Sequence, residues 1–197
     1  DIDILVKKSN QFKNIAIASG VITGKDGRED SISKVKNPDQ NLLAANIQDV
    51  KFISGCCMLL KLESFKKINL FDEGFFLYCE DNELCKRVTK NGYKLAICPE
   101  VKLYHQGGQS SNISNEVNLS ILSHKIGWSK CYYTQKVHFK IIGKLRAARD
   151  IFRSIFKMVI IKKNNPKYHV NKARLKGCFY YLIGRKAFDK TGNPNLF

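Results

Sequence analysis

No stretch of this sequence is both uncharged and long enough to cross a membrane. The longest apolar runs, residues 158–161 and 177–184, fall well short of the ~20 residues that a spanning helix requires. The seven cysteines form no Cys-x-x-Cys pair and no zinc-type Cys/His spacing, which excludes the common structural zinc modules. Most of them lie in apolar runs, so we expect buried free thiols in a reducing cytosol. The absence of internal repeats and low-complexity tracts excludes solenoid and fibrous architectures.

Acidic residues are scarce in the last third of the chain. Residues 136–197 contain 16 Lys and Arg against two acidic residues, a net charge of +14 out of +17 for the whole chain. Residues 1–135 carry 18 basic and 15 acidic residues and are nearly balanced. This asymmetry predicts an acidic partner surface for the tail, which is anionic lipid, nucleic acid or an acidic protein.

The tail is predicted to be helical. In residues 138–163 the apolar residues follow a spacing of three and four, and Lys and Arg take the other face; the apolar residues are Ile141, Leu145, Ala148, Phe152, Ile155 and Val159. Such a basic amphipathic helix is typical of a membrane interface, although the same stripe could pack on the rest of the chain. We expect no nucleic-acid binding, because base-reading or stacking groups do not accompany the charge. A second helix is predicted from about residue 170 to 186.

The segment with the strongest functional signal is residues 71–87, which read FDEGFFLYCEDNELCKR. It places five carboxylates among large apolar residues, and buried carboxylates are costly unless they are paired, bind metal or do chemistry. Residues 80–90 are predicted to form a helix with Leu84 and Val88 on its inner face and Asn91-Gly92 as its C-cap. Glu80 and Asp81 therefore lie at a helix N-terminus, which favours the ionised carboxylate.

Strands and helices alternate in the first 135 residues, which predicts an α/β layered domain. We expect strands at residues 15–20, 50–62, 93–98 and 101–105, with Pro99 ending the third. Gly55 falls inside the second of these strands, where it either relieves strain or lets a ligand approach the backbone. The predicted division is a domain of residues 1–135 followed by the helical tail, residues 136–197.

Several motifs occur in a fixed order: Ser54-Gly55, residues 71–87, Gly92-Tyr93, Pro99-Glu100 and His105. This block resembles the C-terminal half of a family 2 glycosyltransferase catalytic domain, over about residues 15–108, and is closest to rhamnosyltransferase-like members. The resemblance implies a partial GT-A (Rossmann-like) fold with a mixed sheet and flanking helices. It also implies an inverting, peripheral bacterial enzyme on the cytoplasmic face of the cell membrane, acting in surface polysaccharide synthesis.

The resemblance assigns the general base to Asp81, and Glu80 would hold the acceptor or orient that base. His105 would ligate Mn²⁺ or Mg²⁺ or contact the diphosphate, although a structural histidine is the alternative. Gly55, Asp72, Glu73 and Arg87 are candidate substrate-binding residues. For Asp72 and Glu73, solvation or backbone hydrogen bonding is an equal alternative, and Arg87 could form an ordinary ion pair with Glu83.

The partners implied are a nucleotide-sugar donor, a saccharide or lipid-linked acceptor and an anionic membrane surface. The family's nucleoside-binding strands and its Asp-x-Asp metal motif normally precede this block. Asp1-Ile-Asp3 has the spelling of that motif, which makes Asp3 a candidate metal ligand. We therefore expect a fragment of a transferase that is inactive by itself. The alternative function is a non-catalytic membrane- or partner-binding module derived from a truncated transferase.

Overall fold

The structure is a computed structural model that describes residues 2–24, 27, 35–106 and 115–195. The chain divides into two units. The first comprises Asp1–Phe71 and Asp81–Ser111, and the second comprises Asp72–Glu80 and Asn112–Phe197. The division therefore differs from the predicted boundary at residue 135, because the helices that begin at residue 115 group with the tail and so does the short loop before Glu80.

The first unit contains a four-stranded mixed sheet with helices. Its elements are α1 (Ile2–Asn10), β1 (Ile15–Thr23), α2 (Gln40–Ala44), β2 (Gln48–Val50), β3 (Leu59–Leu60), α3 (Leu62–Phe65), α4 (Glu80–Lys90) and β4 (Lys94–Tyr104). The strand order is β2-β4-β1-β3, in which β1 and β4 are parallel and the outer strands are antiparallel to their neighbours. The predicted α/β fold with a mixed sheet and flanking helices is confirmed.

Two apolar clusters pack against this sheet. One joins Leu84 and Val88 of α4 and Phe65 of α3 to strand residues such as Ile17. The other joins Leu5 of α1 and Leu42 of α2 to strand residues such as Ala18, Ala96 and Cys98. Leu84 and Val88 are fully buried, as their spacing predicts, and α4 ends at Lys90 before Gly92, which has a φ of 83°. The sequence pattern therefore predicts α4 correctly at both ends.

Two strand predictions are wrong in detail. Pro99 does not end a strand, because β4 runs through it with an irregularity that shifts the register from Gly20↔Cys98 to Val21↔Lys102. The bulge needs no N–H at Pro99, so the proline is tolerated there. The bulge also brings Val101 against β1, where a Cβ on Gly20 would overlap the Val101 carbonyl oxygen. Glu100 extends from the bulge to Lys8 of α1, with 2.6 Å between Oε1 and Nζ.

The apolar segment after β2 is not the continuous strand that its composition predicts. Strand β2 ends at Val50 and β3 begins at Leu59, and residues 51–58 form an irregular connection between the two strands. In that connection the backbone of Ile53 hydrogen bonds with the thiol of Cys85 on α4, at 3.5 Å in each direction. The backbone of this segment therefore hydrogen bonds to a helix side chain, whereas the backbone of a strand would hydrogen bond to a neighbouring strand. Gly55 lies in a turn of this segment.

The second unit is helical. It contains α5 (Asn115–Ser123), a π-helix (His124–Trp128), α6 (Ser129–Val137), α7 (Lys140–Ile160) and α8 (Pro166–Leu182). Its core includes Trp128, Cys131, Cys178 and Tyr181. The predicted tail helices are confirmed, although α8 begins about four residues earlier than expected. Asn165 caps it by accepting a hydrogen bond from the Lys167 N–H at 2.9 Å, and Pro166 takes the first helical position.

The buried side of α7 is the opposite of what its apolar pattern suggests. Its buried residues are small or polar, namely Gly143, Ala147, Asp150 and Ser154. The apolar stripe is exposed, and Phe152 and Val159 reach 75% and 82% exposure. The stripe is therefore not part of the core of the second unit. Among the helices that the structure describes, none has the length and hydropathy needed to span a membrane.

The cysteine prediction is right for four of the seven thiols. Cys85, Cys98, Cys131 and Cys178 are buried and free, whereas Cys56 is exposed and the other two are half-buried. The exposed thiol follows from the irregular connection after β2, because a turn exposes side chains that a buried strand would cover.

Candidate active site

Asp81 lies in the first turn of α4, and three hydrogen bonds fix its carboxylate. Oδ2 accepts from the backbone N–H of Gly55 at 3.2 Å. Oδ1 accepts from the backbone N–H of Asn82 at 2.7 Å and from its side-chain amide at 2.9 Å. Asp81 is half-buried at the N-terminus of an 11-residue helix. The structure thus brings together two residues that the sequence proposes separately, and Glu80 directly precedes Asp81 as the first residue of α4.

The connection between residues 53 and 55 is held to α4 at two successive helical turns. Gly55 bonds to Asp81, and Ile53 bonds to Cys85 four residues later, on the same side of the helix. Burial raises the pKa of the Cys85 thiol to about 11, and the nearby charge of Asp81 adds to this rise. Cys85 therefore stays protonated at neutral pH and can donate to the Ile53 carbonyl. Its role is to position the turn that contains Gly55.

Arg87 anchors the segment before the aromatic loop. Its Nε donates to both oxygens of Glu83, at 2.9 and 3.2 Å, and Nη2 donates to Oε2 at 2.8 Å. The remaining guanidinium donors bond to the carbonyl oxygens of Ile68, Asn69 and Leu70. All five N–H groups of Arg87 are thus directed at protein acceptors. This geometry matches the alternative in which Arg87 forms an ion pair with Glu83. For Arg87 to contact substrate as predicted, some of these hydrogen bonds would have to break.

Asp72 and Glu73 belong to the second unit. Asp72 accepts from the Gly74 N–H at 2.9 Å and forms an ion pair with Lys136 of α6 at 2.9 Å. Burial opposes ionisation of Asp72, but the hydrogen bonds from Lys136 and Gly74 outweigh it and lower its pKa. Glu73 is exposed. The geometry of Asp72 matches the backbone-bonding alternative, and the substrate role of both residues stays a prediction.

The backbone immediately before α4 is strained. Tyr78 and Cys79 have φ values of 65° and 73°, in the left-handed region that residues other than glycine rarely occupy. Contacts within the second unit hold this turn. Lys125 lies 4.6 Å from the centre of the Tyr78 ring, and Ser129 Oγ donates to the Leu77 carbonyl at 2.6 Å. Strain of this kind is often found at functional sites, and residue composition did not reveal it.

The two candidate metal ligands lie in the first unit. His105 follows β4 directly, is exposed, and donates its backbone N–H to Thr23 at the carboxyl end of β1 at 3.0 Å. Asp3 is exposed in the first turn of α1, where an acidic residue also suits the helix dipole. Asp1 and the glycine-rich segment after Gln106 lie outside the described residues. Within the described part of the chain no three His, Cys, Asp or Glu side chains form a metal-binding group. The metal-binding role of His105 and Asp3 stays a prediction.

The middle of the chain is similar to known proteins. A family model described as the N-terminal domain of galactosyltransferase matches residues 47–106. Rhamnosyltransferase WbbL of Escherichia coli (strain K12) is 34% identical over 74 residues, which is 38% of this chain and 27% of that protein. The matched segment is family 2 glycosyltransferase-like.

A second similar protein is the N-acetylglucosaminyl-diphospho-decaprenol L-rhamnosyltransferase of Mycobacterium tuberculosis (strain CDC 1551 / Oshkosh). It is 31% identical over 72 residues, which is 36% of this chain and 24% of that protein. The chain thus matches about a quarter of the length of these curated relatives. The resemblance inferred from the sequence motifs is confirmed for this part of the chain. Every predicted site residue except Asp3 falls within the glycosyltransferase-like segment.

Sequence reasoning about this glycosyltransferase-like segment missed the residues that support Asp81. The sequence indicates only a buried thiol at Cys85, because its contact with Ile53 depends on tertiary structure. Asp81 and Cys85 are four residues apart on α4 and therefore lie on the same side of the helix. This spacing is the sequence feature that could have indicated a shared neighbour.

Proposed function

We propose that the chain is part of an inverting glycosyltransferase, in which Asp81 is the general base. The reaction transfers a sugar from a nucleotide-sugar donor to a hydroxyl of a saccharide or lipid-linked acceptor. The observation that carries this proposal is the Asp81 carboxylate, which is half-buried at a helix N-terminus and oriented by the N–H groups of Gly55 and Asn82.

The orientation of Asp81 suits proton abstraction. Oδ1 already accepts two hydrogen bonds, whereas Oδ2 accepts one and keeps a lone pair for a further donor. An acceptor hydroxyl that donates to Asp81 becomes more nucleophilic as the proton moves to the carboxylate. Glu80, the preceding residue, would hold the acceptor or orient Asp81.

The bonds that form and break involve only the nucleotide-sugar donor, the acceptor hydroxyl and Asp81. The acceptor oxygen forms a bond to the anomeric carbon, while the bond between that carbon and the diphosphate oxygen breaks. The nucleoside diphosphate leaves with the bonding electrons, and the acceptor proton ends on Asp81. Attack opposite the leaving group inverts the anomeric configuration.

The acceptor class is supported by the names of the relatives. Both are rhamnosyltransferases, and the mycobacterial protein is named for a diphospho-decaprenol compound. We infer a role in the synthesis of a surface polysaccharide on a lipid carrier. The donor sugar is a deoxyhexose or hexose attached to a nucleoside diphosphate.

Replacement of Asp81 tests this proposal in the full gene product that contains the chain. Asp81→Asn keeps the shape and the acceptor oxygen for Gly55 but removes the base. Turnover should fall by about 10²–10⁴-fold, with little change in donor binding. Glu63→Gln is the matched control, because Glu63 is an exposed carboxylate at the start of α3. Near-normal turnover by Asp81→Asn would overturn the assignment, and a folded wild-type protein without transfer would favour the non-catalytic module.

A further inference from the structure

The exposed apolar face of α7 needs an explanation, because soluble domains rarely leave such a surface uncovered. Its most exposed residues are Phe152, Phe156, Val159 and Ile160. They lie on the side of the helix opposite Ala147 and Ser154, which pack inside the second unit. The helix is therefore anchored by its small residues and presents its large apolar residues outward.

Charge surrounds this face on both sides. At 100° per residue, Lys144 flanks one edge of the stripe and Arg153 flanks the other. The only acidic residue of α7, Asp150, is buried on the opposite side and paired with Arg149 at 2.9 Å. The exposed surface of α7 is thus apolar in the centre and purely cationic at its rim.

A cleft continues the surface at the C-terminal end of α7. It has a volume of about 390 Å³ and lies between the end of α7 and the first half of α8. Three cationic side chains line it, Lys157, Lys167 and Arg174, together with the apolar Ile160, Ile161 and Val170. Arg174 is held in place by donating to Asn171 Oδ1 at 3.1 Å. Among the residues that the structure describes, no carboxylate lines the cleft. Its lining therefore suits an anion attached to an apolar chain.

We propose that α7 lies in the interface of an anionic phospholipid bilayer, and that this cleft holds the phosphate of a lipid headgroup. The apolar stripe enters the boundary between headgroups and acyl chains, as interfacial amphipathic helices do. The cationic rim meets the anionic headgroups, and the apolar wall of the cleft contacts the upper part of an acyl chain. The inference does not depend on the proposed transferase activity.

The charge pattern favours a bilayer over a protein partner. Lys is depleted in protein interfaces, and interface cores are poor in charge. A second copy of the chain, docked through the same face, would place two cationic rims against each other, which is unfavourable. An anionic bilayer complements both the stripe and its rim.

Vesicle co-sedimentation of the 197-residue chain tests the stripe. Binding to vesicles containing phosphatidylglycerol should exceed binding to pure phosphatidylcholine vesicles at least tenfold and weaken at high salt. The variant Phe152→Ser with Val159→Ser should lose most of this binding while it remains folded, because both side chains are exposed. Leu62→Ser changes an apolar residue of the first unit that is 66% exposed; it is the control and should bind normally.

The cleft is tested by removing its charges. Lys157→Gln, Lys167→Gln and Arg174→Gln together should weaken binding to anionic vesicles by about fivefold for each charge. The matched control removes the same charge from exposed Lys66, Lys67 and Lys90 of the first unit, and it should have a much smaller effect.

Three results would overturn the proposal. The first is equal binding by the cleft variant and the charge-matched control. The second is binding of free inorganic phosphate that the cleft variant loses while vesicle binding is unchanged, which would assign the cleft to a soluble ligand. The third is self-association in analytical ultracentrifugation that Phe152→Ser with Val159→Ser abolishes, without vesicle binding by the wild type.

Discussion

Arg87 forms an ion pair with Glu83, one helical turn earlier on α4, and both its Nε and its Nη2 donate hydrogen bonds to the Glu83 carboxylate. Glu83 is buried, at 5% exposure, and the other donors of Arg87 bond to three successive backbone carbonyls. The pair thus ties α4 to the chain segment at residues 68–70. Because Asp81 also lies on α4, the Arg87–Glu83 ion pair helps to fix the helix that carries the proposed base.

Loss of the Arg87–Glu83 ion pair should destabilise the protein. Arg87→Met leaves a buried carboxylate without its cation and should lower the free energy of unfolding by about 3–5 kcal/mol. Urea unfolding measures this, with Lys86→Met, an exposed neighbour on α4, as the control. A double variant, Arg87→Met with Glu83→Leu, should recover part of the loss. If the double variant is stable but binds substrate poorly, Arg87 has the substrate role that the sequence suggests.

His124 should make stability depend on pH. It is fully buried in the π-helix, and its Nε2–H donates to the Asn195 carbonyl at 2.9 Å. Burial lowers its pKa, although the hydrogen bond opposes this shift. The folded state therefore takes up a proton less readily than the unfolded state. The stabilising contribution is complete above about pH 6.5 and is lost as pH falls below that value and through the lowered folded pKa.

The measurement for His124 is urea unfolding at about pH 7.5 and about pH 5. The wild type should lose up to about 1.4 kcal/mol for each pH unit in the window. His124→Gln keeps a side-chain N–H donor and removes the titration, so its pH dependence should be smaller. His169→Gln, an exposed histidine of α8, should behave like the wild type. Identical slopes for wild type and His124→Gln would contradict the prediction.

A divalent metal, if the full gene product uses one, should be sensitive to His105. His105→Ala should raise the Mn²⁺ or Mg²⁺ concentration needed for half-maximal transfer. Its melting temperature should not change, because the side chain is exposed. His138→Ala, an exposed histidine in the second unit, controls for loss of imidazole. An unchanged metal requirement together with lower stability would indicate a structural histidine.

Parts of the fold with strong local signals were predictable. Helix α4 was predicted because Leu84 and Val88 repeat at helical spacing and Gly92 supplies its end. The path of β4 through Pro99 was not, because the tolerance of a proline depends on a bulge that only pairing with β1 creates. The buried side of α7 was also missed. Gly143, Ala147 and Ser154 bury little apolar surface and leave no hydrophobic pattern, yet small residues allow close helix packing.

The candidate site divides in the same way. Asp81 could be found from its motif and its position at a helix start. The N–H of Gly55 that orients it could not, because the two residues are 26 positions apart and meet only after Ile53 docks on Cys85. The left-handed backbone at Tyr78 and Cys79 was equally hidden, since neither residue type favours that conformation.

The assignment of Asp72–Glu80 to the helical unit has a practical consequence for dissecting the molecule. Neither unit is a continuous stretch of sequence, so no single cut can release one of them whole. A chain ending at residue 111 would retain Phe76 without its ring contacts to His124 and Phe188, and Asp72 without Lys136. Such a truncation exposes aromatic surface and should aggregate. Point substitutions on the intact chain, and not deletions, are therefore the way to separate the contributions of its two halves.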